Sequence, residues 1–123
     1  MRYDPAVGPD PQEWLELDEG ERTVIVRQYH KRARQRSGNA ELHAIIHATV
    51  ETQIAEGHPD VKAAFERLSR GGLDRHDVVH AIGSVLAGEI YGVLKSERPH
   101  DPREYARRLK ELTAAKWLRG DQE

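Results

Sequence analysis

The chain has 123 residues, enough for one hydrophobic core but not for two. Its formal net charge is −2, so no overall field favours nucleic acid or an anionic membrane. Cysteine is absent, which excludes disulfides and thiolate metal ligands and fits a reducing compartment.

No uninterrupted apolar stretch reaches the roughly 20 residues that a bilayer span requires, and the first residues lack the apolar segment of a signal peptide. We therefore expect a cytoplasmic protein that binds neither nucleic acid nor a membrane. Only 6% of the residues are aromatic. The core is accordingly expected to consist of aliphatic side chains on amphipathic helices.

Residues 1–10 are predicted to form an irregular N-terminal arm, because prolines and a glycine interrupt them. Residues 11–123 are predicted to form a single helical domain. Its first helix, at 11–16, is indicated by Asp10 as the N-cap residue and by Pro11 at the first helical position.

A second helix is predicted over about 19–36, with Asp18 as its N-cap and Glu21 at the third helical position. The β-branched run at 23–26 could also form a strand. We prefer a helix, because the sequence offers no partner strand and because three residues share one helical face, namely Ile25, Tyr29 and Ala33.

The same start and stop signals predict the remaining helices. Asn39, Asp74 and Asp101 are good N-cap residues, and Gly71-Gly72 ends the helix that precedes Asp74. The predicted ranges are 40–56, 60–70, 74–95 and 102–118. The sequence therefore predicts an all-α fold, a compact helical bundle of five to six helices.

Two pairs of histidines with a spacing of four residues lie on two of these helices. They are His43 with His47, and His76 with His80. On a helical wheel the two members of a pair are about 40° apart, and both pairs lie on the apolar face. Glu51 lies about 80° from His43, at the edge of the same face. We expect the two helices to turn their imidazoles toward each other.

Four buried imidazoles in one place predict a metal site. Each unpaired buried nitrogen costs on the order of 1–3 kcal/mol, and a divalent cation satisfies one nitrogen of every ring. Histidines four residues apart can chelate one ion from one helix. The predicted ligands are His43, His47, His76 and His80, with Glu51 at the edge of the same face as a fifth candidate. Zinc suits this set best, and iron or nickel would also fit.

Other interpretations stay open at this point. Histidines on apolar faces are usually satisfied core residues, so the four rings could instead form a buried hydrogen-bond cluster. Glu51 could be a ligand, a general base for a metal-bound water, or a half-exposed carboxylate. The remaining histidines, His30, His58 and His100, lie outside the doubled motif. His30 lies four residues from Val26 and could support the ligands without binding the ion, although a surface or packing role is expected for it. His58 and His100 are expected in exposed loops.

The histidine motifs also carry a resemblance. The sequence resembles a bacterial family catalogued as a domain of unknown function, number eighteen-forty-one, most specifically over roughly residues 39–84. The matching residues are Asn39-x-x-Leu42-His43-x-x-x-His47-x-x-x-Glu51 and Gly72-Leu73-x-Arg75-His76-Asp77-x-x-His80. In some members of the family it resembles, the second helix carries an acidic residue where this chain has Ser84, which argues against a two-metal site here. The resemblance implies that the histidine motifs form one unit, and it implies no activity.

Two functions follow from these observations. The first is a bacterial metal-binding helical protein, which could act as a metal-dependent hydrolase with Glu51 as base on a small-molecule substrate. The second is a non-catalytic interaction or regulatory domain whose histidines form the hydrogen-bond cluster. A homodimer could pack along the small-residue ridge of one helix, formed by Ser84, Gly88 and Gly92.

Overall fold

The computed structural model describes residues 1–33, 39–97 and 99–120. These residues form helices and connecting turns, and no strand occurs among them. The helices are α1 (Pro11–Glu16), α2 (Glu19–Arg32), α3 (Ala40–Ala55), α4 (Pro59–Arg70), α5 (Arg75–Ser96), α6 (Pro102–Glu111) and α7 (Ala114–Arg119). The predicted all-α class is confirmed.

The helices that have a predicted N-cap residue begin directly after that residue. Asp18 accepts a hydrogen bond from the backbone N–H of Glu21, and the Glu21 carboxylate accepts one from the backbone N–H of Asp18, a complete capping box. The side chains of Asp10, Asn39, Asp74 and Asp101 also cap the helices that follow them. The β-branched run at 23–26 is helical, as predicted. The predicted extension of α2 to residue 36 ends outside the described residues.

The predicted count of five to six helices is wrong, because the described residues form seven. The expected helix at 102–118 is interrupted at Leu112, whose backbone is extended, and Thr113 caps α7. At the interruption, the Arg67 guanidinium donates hydrogen bonds to the carbonyls of Leu109 (2.6 Å) and Leu112 (3.1 Å). The Leu109 carbonyl also accepts from the backbone N–H of Leu112, and Arg67 adds a side-chain donor to the carbonyls at this helix end.

Contacts between Cα atoms divide the chain into two compact units, Met1–His58 and Pro59–Glu123. The prediction of a single domain from residue 11 onward stays a prediction. Each unit has buried side chains of its own.

In the first unit, α3 contacts both α1 and α2. The core includes Trp14, Val26 and Ala44, all fully buried. The Trp14 indole N–H donates to the Thr52 hydroxyl at 3.1 Å. Tyr3 of the N-terminal arm is also in this core, with only 1% of its surface exposed. The arm therefore contributes a core residue, although it has no regular secondary structure.

In the second unit, α4, α5 and α6 contact one another. Glu89 of α5 is buried and pairs with the Arg108 guanidinium of α6 at 2.7 Å. A Cβ added at Gly88 would lie 3.5 Å from the Arg108 side chain, so α6 covers part of the ridge predicted for dimerisation.

The length and composition of α5 would also allow it to cross a membrane. The expectation that the protein does not bind a membrane stays a prediction. The core helix of a soluble protein meets the same criterion, so the finding is weak support for a membrane span.

Candidate metal centre

Three histidines come together inside the first unit. His43 and His47 lie one turn apart on α3, and His30 comes from the last turn of α2. The ring centroids are 4.5 Å apart for His30 and His43, and 5.6 Å apart for His43 and His47. One nitrogen from each ring lies within 4.8 Å of a nitrogen of the other two. The three side chains thus form a compact imidazole cluster.

Two of the three rings are hydrogen-bonded to each other. Nδ1 of His47 lies 3.1 Å from Nε2 of His30, and the two rings are nearly parallel. His47 is 2% exposed and His30 is 8% exposed, whereas His43 is half-buried. Imidazolium rings at such separations would repel one another in a poorly solvated site. The cluster therefore favours neutral rings, and neutral imidazole is the form that binds metal ions.

The nitrogen positions are close to those of a mononuclear site. In a tetrahedral zinc site with bonds of about 2.0–2.1 Å, neighbouring ligand nitrogens lie about 3.3 Å apart. The His30–His47 separation of 3.1 Å is close to this value, and an ion between the two nitrogens would replace their hydrogen bond. The widest separation allowed within the cluster, 4.8 Å, would have to shrink by about 1.5 Å, which side-chain rotations can provide.

Glu51 lies one turn beyond His47 on α3 and is 1% exposed, so it is a buried carboxylate rather than a half-exposed one. The Tyr3 hydroxyl donates a short hydrogen bond to Oε2 of Glu51. The Tyr3 ring also meets the His47 ring edge to face, with 5.7 Å between centroids. Tyr3 of the N-terminal arm thus contacts both Glu51 and His47, two of the residues predicted to form the metal site.

The second unit contains the other predicted pair. His76 and His80 lie one turn apart on α5, are half-buried, and have ring centroids 4.3 Å apart. The two side chains lie on one face of α5, as their spacing of four residues predicts. The expectation that they share an ion with His43 and His47 stays a prediction.

An open groove runs along α2 beside the start of α3. It has a volume of about 500 Å³ and is lined by Val24, Arg27, Gln28, His30, Lys31 and Ala40. His30 belongs to both the groove lining and the imidazole cluster. A small molecule in this groove would therefore contact one member of the cluster.

Comparison with known proteins identifies a family but no activity. The family described as Domain of unknown function (DUF1841) matches residues 9–111. The chain belongs to this family. The match includes every residue of the cluster and of the His76–His80 pair, but it begins at residue 9 and leaves out Tyr3. No curated protein and no solved structure matches the chain significantly.

In this DUF1841 chain, sequence reasoning left His30 out of the predicted ligand set and gave Tyr3 no role at the site. His30 is buried, and its spacing of four residues from buried Val26 was the signal for a supporting role near the site. Tyr3 lies in an irregular segment, where no periodicity indicates which side chain is buried.

Proposed function

We propose that this DUF1841 protein binds a divalent metal ion through the imidazoles of His30, His43 and His47, with zinc as the first candidate and iron or nickel as alternatives. The observation that carries the proposal is the convergence of three ring nitrogens within 4.8 Å in a largely buried place. Imidazole nitrogen is a preferred ligand of all three metals.

This ligand set differs from the one the sequence predicted. His30 joins His43 and His47, so the first unit alone offers three ligands, two from α3 and one from α2. An ion bound there would link α2 to α3 and stabilise the first unit. Measurements of metal content in His76 and His80 variants will show whether these two residues also bind the ion.

A hydrolytic reaction is the activity that we propose to test. Three histidine ligands leave a position for water on zinc, which is the arrangement of catalytic rather than closed structural zinc sites. Glu51 would be the general base if its carboxylate reaches that water, and otherwise it positions the site through Tyr3. Replacing Glu51 with Gln would abolish hydrolysis in the first case while metal content is retained.

The test is elemental analysis of protein purified without a histidine tag, followed by titration with zinc, nickel and iron(II). We expect about one ion per chain in the unmodified protein. His30→Ala, His43→Ala and His47→Ala should each lower metal content severalfold. His100→Ala is the matched control, because His100 is exposed in a loop of the second unit. Circular dichroism shows whether each variant remains helical.

The same panel distinguishes the two ligand sets. His76→Ala and His80→Ala should leave metal content unchanged if the first unit holds the ion by itself. If His30→Ala retains the metal while His76→Ala and His80→Ala lose it, the sequence-based set of four is right and the set proposed here is wrong. Untagged protein that contains no metal, and whose melting temperature none of the three ions changes, would reject both sets.

A second candidate function is supported by the hydrogen bond between His30 and His47. This bond satisfies one nitrogen of each ring without a metal. It fits a non-catalytic interaction or regulatory domain in which the cluster only stabilises α2 against α3. If the cluster has only this structural role, His47→Ala would lower the melting temperature by the same amount with and without added zinc. The metal proposal instead predicts that zinc raises the melting temperature of the unmodified protein and not that of His47→Ala.

A further inference from the structure

We propose that the groove beside His30 binds a small oxyanion, a carboxylate or a phosphate, and delivers it to the metal site. This inference rests on the proposed function, because the anion would occupy the position that three imidazoles leave open. It adds the chemical class of the ligand, which the imidazole cluster by itself does not specify.

The position of the groove provides the first argument. Its volume of about 500 Å³ lies within the range of small-molecule sites, which is roughly 300–1,000 Å³. Val24, Gln28 and Lys31 follow one face of α2 at helical spacing, and His30 is the lining residue that also belongs to the cluster. A ligand lying along this face would therefore have one end at His30.

The charges of the lining provide the second argument. Its charged side chains are those of Arg27 and Lys31, and no carboxylate lines the groove among the residues that the structure describes. Arg27 also lines a neighbouring groove of similar volume, about 510 Å³, whose lining includes Glu19 and Glu41. Lys31 lines the groove at His30 and not its neighbour, so its charge distinguishes this groove and favours an anion.

The guanidinium of Arg27 and the ammonium of Lys31 could both bind an oxyanion in the groove. Arg27 pairs with Glu41 at 2.9 Å, but both side chains are more than half exposed, so this pair contributes little to stability. Lys31 forms no ion pair with any residue in the described part of the chain. A guanidinium binds an oxyanion through two parallel hydrogen bonds, and an ammonium adds a mobile donor.

A structural role for the same cations gives a different expectation. Lys31 lies in the last turn of α2, where a positive charge offsets the helix dipole. In that case its removal would lower the melting temperature slightly and leave anion binding unchanged. The two roles are therefore separable by measuring binding and stability on the same variants.

The experiment is calorimetric titration of the zinc-loaded full chain with inorganic phosphate and, in a second arm, with acetate. Lys31→Gln and Arg27→Gln should each weaken binding roughly tenfold, with zinc content unchanged. Lys62→Gln, at an exposed position of the second unit, is the matched control and should bind like the unmodified chain. Binding of phosphate, of acetate or of both supports the inference and tells which oxyanion the groove accepts.

Three outcomes would overturn it. Zinc-loaded protein that binds neither anion leaves the metal proposal standing and rejects the oxyanion groove. Binding that is equal in the unmodified chain and in both groove variants places the anion elsewhere and also rejects it. A chain that takes up no metal rejects the proposed function and this inference together, and the zinc analysis of each sample identifies that case.

Discussion

Nε2 of His30 and Nδ1 of His47 lie 3.1 Å apart, so α2 and α3 are joined by a hydrogen bond between two buried imidazoles. One ring must donate and the other accept, which fixes complementary tautomers in the pair. The contact makes His30 part of the candidate site, although it lies outside both histidine motifs. It also leads to the first prediction, because the two side chains should act as one unit.

The combined effect of replacing His30 and His47 with Ala should be smaller than the sum of the single effects. In metal-free protein we expect a coupling free energy of about 0.5–3 kcal/mol, as found for residues in direct contact. Urea unfolding of the two single variants and the double variant gives this value. Strictly additive free energies of unfolding would show that the hydrogen bond contributes no net stability.

Zinc affinity should fall as the pH is lowered through about 6.5, because a protonated imidazole cannot bind the ion. At lower pH each ligand histidine adds about one unit to the slope of log affinity against pH. The set of His30, His43 and His47 predicts a limiting slope of about 3, and the sequence-based set of four predicts about 4. Competition with a zinc indicator over pH 5–7 measures the slope. An affinity that does not depend on pH would exclude histidine ligands.

Replacing Tyr3 with Phe should destabilise the first unit by about 1–3 kcal/mol, because buried Glu51 loses the hydrogen bond that the hydroxyl donates. The ring contacts with Trp14 and His47 would be retained. Tyr91→Phe is the control, since Tyr91 is 65% exposed. Thermal melting compares the two variants. Equal melting temperatures would mean that water replaces the hydroxyl without cost.

Gly71→Ala should destabilise the second unit, because a Cβ at this position would lie 2.7 Å from the Cβ of Ala114 at the start of α7. Overpacking of this kind costs about 1–3 kcal/mol. Gly88→Ala is the matched change, since the added Cβ would meet only Arg108 at 3.5 Å and would favour the helix by roughly 0.5–1 kcal/mol. Opposite signs in denaturant unfolding are expected, and destabilisation of equal size in both variants would refute the steric explanation.

The stability that Glu104 contributes should disappear in acid. Hydrogen bonds from Arg107 lower the pKa of Glu104 from 4.5 to about 2, against the opposing effect of desolvation. The folded-state pKa is the lower one, so this stabilisation is fully present above pH 4.5 and is lost as the pH falls toward 2. The melting temperatures of the unmodified chain and of Glu104→Gln should therefore converge over this interval. Because the carboxylate is about one-third exposed, salt should reduce the difference.

Much of the secondary structure was predictable, because its signals lie within a few residues of each other. The capping box at Asp18 and Glu21 and the helical face of residues 25, 29 and 33 sufficed to prefer a helix over a strand at 23–26. The interruption at Leu112 was missed, although Thr113 is a local N-cap signal for α7. The hydrogen bond from Arg67 to the Leu112 carbonyl spans 45 residues of the chain, and no local pattern predicts that contact.

The candidate site, too, was predictable only where its residues lie close together in the sequence. The spacing of His43 and His47 determined that both imidazoles lie on one face of α3, because helix geometry relates residues four apart. Only the tertiary structure decided that His30 completes the cluster from 17 residues away and that Tyr3 binds Glu51 across 48 residues. Periodicity describes which way a side chain points from its own helix, whereas a shared site requires that separate segments meet. That meeting depends on the packing of the whole unit.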